Sequence, residues 1–193
     1  SSDATLGEQL RLVVKEKVAP VIAITYPTAS AYITSNKPVI KWKVTDDDSG
    51  VNSGTISVKI DGAASITSGI TKNAVTGGYE CEYTPSAALS DGQHTVLFNA
   101  KDNDGNAAVQ KSVTFTVDTV APTLTVSSPA NNSVTNTASC TVSGRTNDAT
   151  SSPVTVTVNG KSVTVGANGA FSTTITLNEG DNTITVVATD AAG

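Results

Sequence analysis

Two stretches of the chain decide its fold: residues 89–105 read LSDGQHTVLFNAKDNDG, and residues 177–193 read LNEGDNTITVVATDAAG. Residue 177 lies 88 positions after residue 89, and the correspondence continues without a gap to the last pair. Each stretch has a leucine, a turn that ends in glycine, an alternating apolar and polar run, and an Ala-x-Asp before a second glycine turn. Alternation with a period of two is typical of a strand with one buried face. The chain therefore contains two copies of one β-rich unit.

A second pair of similar segments marks where each unit begins. Residues 16–22 read EKVAPVI, and residues 118–124 read DTVAPTL. Proline fixes φ and donates no backbone hydrogen bond, so each Val-Ala-Pro suits a stiff linker that leads into an edge strand. We therefore expect a first domain over residues 18–118 and a second domain over residues 119–193.

Short alternating strands with turn residues between them are predicted throughout both units, and no helical pattern of useful length appears beyond a weak one in residues 4–17. Tight turns are predicted at Asp61-Gly62 and Asn159-Gly160. The expected fold class is all-β, with two tandem immunoglobulin-like (Ig-like) β-sandwiches. The predicted strands are 21–26, 38–45, 55–61, 79–84, 93–101 and 109–117 in the first domain, and 123–127, 137–143, 153–159, 161–165, 170–177 and 182–189 in the second.

The joints and the glycine turns resemble those of bacterial Ig-like repeat proteins. The resemblance rests on residues 16–20 (EKVAP), 118–122 (DTVAP), 91–96 (DGQHTV) and 188–193 (ATDAAG), and it covers nearly the whole chain. It implies an extracellular or cell-surface location and a role as a stalk, an adhesin arm or a spacer beside carbohydrate-active domains. Such a fold does not by itself fix the function.

The ends of the chain predict an incomplete second domain and an orphan strand. Gly193 is the equivalent of Gly105, after which the first domain has its final strand, so the second domain is expected to lack that strand. Residues 1–17 have the alternating pattern of a final strand without a sandwich of their own; its apolar positions are Leu10, Leu12 and Val14.

Two explanations fit these ends. In the first, Leu10, Leu12 and Val14 of one subunit complete the second domain of the next subunit, which gives a head-to-tail extracellular filament or pilus whose partner is a second copy of the chain. In the second, the chain is a slice of a longer array, so that it is a stalk, an adhesin or an accessory spacer module of a larger bacterial surface protein or secreted carbohydrate-active enzyme. Its partners are then neighbouring Ig-like repeats.

Acidic residues collect in the loops near each joint, and Ca²⁺ is the one candidate cofactor because it prefers oxygen ligands. The alternative is that these are solvated turn residues, since Asp stabilises turns through its own backbone. The candidate ligands are Glu16, Asp46, Asp48, Asp102 and Asp104 at the first joint, and Asp118, Asp148 and Asp190 at the second.

Other function classes are disfavoured by composition. The net charge of −5 argues against nucleic-acid binding, and no apolar run is long enough to span a bilayer. An enzyme is not expected, because the single histidine, His94, and the two cysteines form no nucleophile–base pair in sequence. We expect His94 on a strand surface, and Cys81 and Cys140 as buried free thiols.

Overall fold

The computed structural model describes residues 12–193, which form fourteen strands and no helix. The strands of the first sandwich are β1 (Val21–Tyr26), β2 (Tyr32–Ile33), β3 (Ile40–Thr45), β4 (Val51–Ile60), β5 (Thr71–Val75), β6 (Gly78–Tyr83), β7 (Gly92–Asp102) and β8 (Lys111–Val117). Those of the second are β9 (Thr123–Ser128), β10 (Ser139–Asn147), β11 (Thr155–Val158), β12 (Lys161–Val163), β13 (Ala170–Thr176) and β14 (Val186–Thr189). The all-β, Ig-like fold class is confirmed.

Each sandwich has two sheets. In the first, the sheet orders are β1-β3-β6-β5 and β2-β8-β7-β4; in the second, they are β13-β10-β9 and β12-β11-β14. Neighbouring strands pair antiparallel except β2 and β8, which are parallel, with Tyr32 beside Thr116 and Ile33 beside Val117. Both residues of the turns Asp61-Gly62 and Asn159-Gly160 have positive φ, as a type I′ turn requires.

Alternation in the strands builds the first core. Ile40, Trp42 and Val44 of β3 point inward and are at most 1% exposed. Trp42 contacts Phe98 of the opposite sheet, with ring centroids 5.2 Å apart in a tilted arrangement. The two sheets are therefore joined by large side chains at the centre of the sandwich.

The second core is much smaller than the first. Seventeen residues are buried in the first hydrophobic cluster, whereas four are buried in the second: Val142, Val156, Val158 and Phe171. The sequence equivalents of the fully buried Val96 and Phe98 are Ile184 and Val186, and these are only half-buried. The physical reason is that β8 pairs along β7 in the first sandwich, whereas within residues 12–193 the equivalent edge of β14 has no neighbouring strand.

The structure differs from the sequence-based prediction at several local elements. Residues 12–17 form no strand within the described chain, and Leu12 and Val14 are 85% and 87% exposed. Leu10 lies outside the described residues, and donation of these side chains to a second copy stays a prediction. Strands β2 and β5 were not predicted, because one has only two residues and the other is mostly polar. Strand β14 begins later than expected, because the Asn182 side chain bonds the local backbone at Asn178 and Gly180.

Candidate metal site

Three carboxylates meet where the linker enters the first sandwich. Glu16 comes from the linker, Asp46 follows the end of β3, and Asp102 is the last residue of β7. One carboxylate oxygen of each residue lies within 4.8 Å of the others. Asp46 and Asp102 are 6% and 1% exposed, and Glu16 is half-buried. We call these three residues the first acidic cluster.

Backbone and amide donors hold the three side chains in place. Oδ1 of Asp46 accepts hydrogen bonds from the backbone of Asp48 at 3.3 Å and of Gly50 at 2.8 Å. Oε1 of Glu16 accepts one from the backbone N–H of Ser49 at 2.7 Å. The loop after β3 therefore orients its own aspartate and also binds the linker glutamate.

Asp102 is fixed by the loop that follows it. Its Oδ1 and Oδ2 accept hydrogen bonds from the backbone N–H and the side-chain amide of Asn106, at 2.7 Å and 2.6 Å. Burial raises the pKa of Asp102, but the donors from Asn106 and from the backbone of Gly105 and Asp104 outweigh it, and the pKa is lowered. Asp102 is therefore ionised at neutral pH.

Three buried oxygens at this cluster lack a hydrogen-bond partner. Within residues 12–193, nothing donates to Oε2 of Glu16 or to Oδ2 of Asp46, and Oγ of Ser49 is also unpartnered. Buried polar atoms are normally satisfied, because each unmade hydrogen bond carries a desolvation cost. Two of these oxygens belong to carboxylates of the cluster and accept no hydrogen bond from the described residues.

The second joint repeats the arrangement. Asp118, Asp148 and Asp190 also bring one carboxylate oxygen each within 4.8 Å. Asp118 and Asp148 lie 102 positions after Glu16 and Asp46, and Asp190 lies 88 positions after Asp102, the offsets of the two sequence repeats. The two sets therefore occupy equivalent places in the two sandwiches. We call the later set the second acidic cluster.

The second acidic cluster is better satisfied internally. Oδ1 of Asp118 accepts from the backbone of Val120 at 3.1 Å, and Oδ2 accepts from the hydroxyl of Ser151. Oδ1 of Asp148 accepts from the backbone of Ser151 at 2.8 Å. Asp118 thus ties the end of the first sandwich to a loop of the second, much as Glu16 is tied to Ser49.

Two predicted ligands fall outside the first acidic cluster. Asp48 is exposed, and only its backbone contributes, to Asp46. Asp104 instead binds the linker: its Oδ2 accepts from the backbone of Glu16 at 3.0 Å, and its Oδ1 lies 3.6 Å from Nζ of Lys15. The sequence did not point to Ser49, although its position between an Asp run and a glycine, in a loop predicted to hold ligands, was an available signal.

His94 was misplaced by the sequence analysis, since it is only 6% exposed. Its Nδ1 lies 2.7 Å from Oδ2 of Asp61, and its Nε2 lies 2.7 Å from the carbonyl oxygen of Ser90. Both partners are acceptors, so the two ring nitrogens can donate to both of them only when the imidazole is protonated. Burial lowers the pKa of His94, but the bonds to Ser90 and Asp61 outweigh it, and the pKa is raised. With both ring nitrogens bonded to these acceptors, His94 has a structural role in the turn.

The cysteines are free thiols, and they differ in environment. Cys81 is buried in the first core and Cys140 is half-buried. Burial raises the pKa of Cys81 to about 11, with a smaller opposing effect from Lys72. A thiol with so high a pKa is a poor nucleophile at neutral pH.

Among residues 12–193 the structure contains no helix of the length and apolarity needed to cross a membrane.

These features define the class of protein: tandem Ig-like sandwiches with acidic joints. Residues 27–119 match the family model of the bacterial Ig-like domain, and residues 122–193 match that of glucodextranase domain B. The match over the first domain confirms the resemblance to bacterial Ig-like domains that the joints indicated.

Comparison with individual proteins supports the same fold. The chain is 31% identical over 175 residues to Bacillopeptidase F of Bacillus subtilis (strain 168). The match covers 91% of this chain but only 11% of the length of that protein. The fibronectin(III)-like modules of CbhA from Clostridium thermocellum superpose with a TM-score of 0.50 at 18% identity, over 89% of this chain and 87% of that one. At that identity the likeness concerns the fold alone.

Proposed function

We propose that the chain is a non-catalytic spacer module of a larger bacterial protein that is secreted or displayed on the cell surface. The observation that carries the proposal is the match to Bacillopeptidase F, because one alignment runs through both sandwiches while occupying 11% of that protein. A relative named as a peptidase and a family named after a glucodextranase both point to Ig-like modules that accompany secreted enzymes. This favours the spacer hypothesis over the filament hypothesis.

The contacts at the second joint agree with a spacer. Asp118 accepts a hydrogen bond from Ser151 of the second sandwich, and Oη of Tyr32 lies 3.4 Å from the carbonyl oxygen of Ser152. Thr119 is held by Asp91 through its backbone N–H and its hydroxyl, both at 2.9 Å. A linker bonded on both sides restricts rotation between the domains, which a spacer needs to keep its ends apart.

The test is a measurement of size and activity on the intact chain. Sedimentation velocity over a hundredfold range of concentration should give one monomeric species of 19.5 kDa. Incubation with casein and with an α-glucan should release no product above the buffer blank. Fibres that grow with concentration and disappear on deletion of residues 1–17 would replace the spacer with the filament. Hydrolysis that follows the purified chain would overturn the non-catalytic role.

A further inference from the structure

We propose that a protonated His94 fastens the linker between the two sandwiches, and that loss of this proton as the pH rises releases the linker. His94 lies in β7 and is 6% exposed. Its Nε2 lies 2.7 Å from the carbonyl oxygen of Ser90, and the next residue, Asp91, holds Thr119 of the linker. A single peptide group, between Ser90 and Asp91, therefore connects the imidazole to the residue that holds the linker.

Two acceptors bond the two ring nitrogens of His94. Nδ1 lies 2.7 Å from Oδ2 of Asp61, in the turn after β4, and Nε2 faces the carbonyl oxygen of Ser90. The neighbouring strand β8 presents Phe115, whose ring centroid lies 6.0 Å away, so Asp61 supplies the charge that faces the imidazole. Burial lowers the pKa of His94, but the bonds to Ser90 and Asp61 outweigh it and raise the pKa above its usual value. Below that pKa the ring is a cation that donates to both acceptors.

Loss of the proton breaks one of these two bonds. A neutral imidazole donates from only one nitrogen. The carboxylate of Asp61 is the stronger acceptor, because its charge strengthens the hydrogen bond, so Nδ1 keeps its proton. Nε2 then presents a lone pair to the carbonyl oxygen of Ser90, and two acceptors at 2.7 Å repel each other. The peptide group between Ser90 and Asp91 therefore turns away from the ring.

This rotation acts on the linker because the chain is anchored immediately before it. The backbone N–H of Leu89 donates to the carbonyl oxygen of Asn36 at 2.8 Å, which holds the segment that leads into Ser90. On the other side, Oδ1 of Asp91 accepts hydrogen bonds from the backbone N–H and the hydroxyl of Thr119, both at 2.9 Å. A rotation of the peptide group between Ser90 and Asp91 therefore displaces the carboxylate of Asp91 and weakens its bonds to Thr119.

The second sandwich contains the same turn without the histidine. Oδ1 of Asn159 accepts a hydrogen bond from the backbone N–H of Thr185 at 2.8 Å, as Oδ1 of Asp61 does from that of Thr95. The residue before Thr185 is Ile184, which stands where the first sandwich has the histidine. The turn therefore forms without an imidazole, and what the histidine adds is a bond that depends on protonation.

The direction of the pH dependence follows from the raised pKa of His94. The linker is held most firmly at acidic pH, and it is released as the pH rises through the folded pKa. A spacer whose joint stiffens at acidic pH rests on the proposed function, whereas the coupling between His94 and Thr119 does not.

The test is amide hydrogen exchange of the intact chain, followed by NMR from about pH 5.5 to pH 9 beside the titration of its single imidazole. The protection factor of the Thr119 amide should fall about threefold to tenfold, the factor that one hydrogen bond contributes. Its midpoint should coincide with that of the imidazole. The Asp118 amide is the reference, because it donates to the carbonyl oxygen of Ile33 at 2.9 Å. The ratio of the two protection factors cancels changes in global stability.

Matched variants test the coupling from the other end. Thr119→Val removes one of the two donors to Asp91 without changing any charge. Because coupling between two sites is reciprocal, it should lower the midpoint of the His94 titration by about 0.2–0.5 pH unit. Thr123→Val removes a similar hydroxyl bond, to the carbonyl oxygen of Asn147, and should leave that midpoint in place.

Three results would overturn the proposal: a ratio of protection factors that does not change with pH, a midpoint that differs from that of the imidazole, or equal His94 midpoints in Thr119→Val and Thr123→Val. His94→Gln should abolish the pH dependence of the ratio, and Trp42 fluorescence verifies that each variant is folded. A failure here leaves the monomeric size and the lack of hydrolysis, on which the spacer function depends, unchanged.

Discussion

Removing one buried valine from each sandwich should destabilise the two domains separately. Val96 is 0% exposed in the first core, and Val156 is 1% exposed in the second. Truncation to alanine removes two methyl groups, at about 0.8 kcal/mol for each buried carbon, and leaves a cavity that adds to the cost. We expect a loss of about 2 kcal/mol in either case. For domains of this size that loss lowers the Tm by about 8–16 °C.

The two cores predict which domain unfolds first. Because the second sandwich buries four apolar residues against seventeen in the first, it should melt at the lower temperature. Trp42 lies in the first core, so tryptophan fluorescence follows only that domain, while far-ultraviolet circular dichroism follows both. Val156→Ala should shift the early phase of the dichroism and leave the fluorescence midpoint in place. Val96→Ala should shift the fluorescence midpoint.

The control is Val134→Ala, because Val134 is 97% exposed and its truncation should move neither midpoint by more than about 2 °C. The reasoning would be refuted by coincident fluorescence and dichroism transitions in the unmodified chain. It would also be refuted if Val156→Ala lowered the fluorescence midpoint as much as Val96→Ala, since the domains would then unfold as one unit.

Further predictions concern single groups. Because hydrogen bonds to Ser90 and Asp61 raise the pKa of His94 in the folded chain, they contribute stability that is complete below the unfolded pKa of about 6.5 and is lost as pH rises through the folded pKa. The urea midpoint of Trp42 fluorescence should fall over that interval, and Asp61→Asn should reduce the fall. A midpoint that rises with pH would contradict this. Cys81 should resist labelling by iodoacetamide at pH 8 in the folded chain, because its pKa is about 11. Mass spectrometry of the peptides would compare the labelling of Cys81 with that of the half-buried Cys140. Equal labelling of the two cysteines would contradict this prediction. Gly169→Ala should destabilise the second sandwich by more than about 2 kcal/mol. The reason is that φ is +77° at this position and that an added Cβ would overlap the carbonyl oxygen of Thr146 in β10. A circular dichroism melt with an unchanged early phase would contradict this prediction.

The strands with regular alternation were predictable from sequence, and short or irregular ones were not. In β3 the period of two gave the inward residues directly, since the alternating side chains are buried on one side only. Strand β2 has two residues and is defined by its pairing with β8, which no local pattern encodes. His94 was predicted to lie on the strand surface because it is polar, and this was wrong. In the alternation of β7 it occupies the same face as Val96 and Phe98, and that alternation gives its burial correctly.

The acidic joints were partly predictable because they are repeated. The offsets of the sequence repeats align Glu16, Asp46 and Asp102 with the residues of the second acidic cluster. In the structure the carboxylates of each cluster lie close together. Sequence could not separate Asp46 from Asp48, since which carboxylate of an aspartate run turns inward depends on the loop backbone after β3. Nor could it foresee Asn106, whose side chain donates hydrogen bonds both to the carbonyl oxygen of Glu16 and to the carboxylate of Asp102.

The parallel pairing of β2 with β8 has a mechanical consequence. One strand lies near the start of the first sandwich and the other at its end, so tension applied between the two linkers pulls them in opposite directions along their shared axis. Three hydrogen bonds then resist sliding together: Ser30 to Thr114 and Thr116 to Ala31, each at 2.8 Å, and Asp118 to Ile33 at 2.9 Å. Bonds loaded in shear must break at the same time, whereas bonds at a peeled edge break one after another. Tension between the two linkers would therefore load these three bonds together rather than in succession.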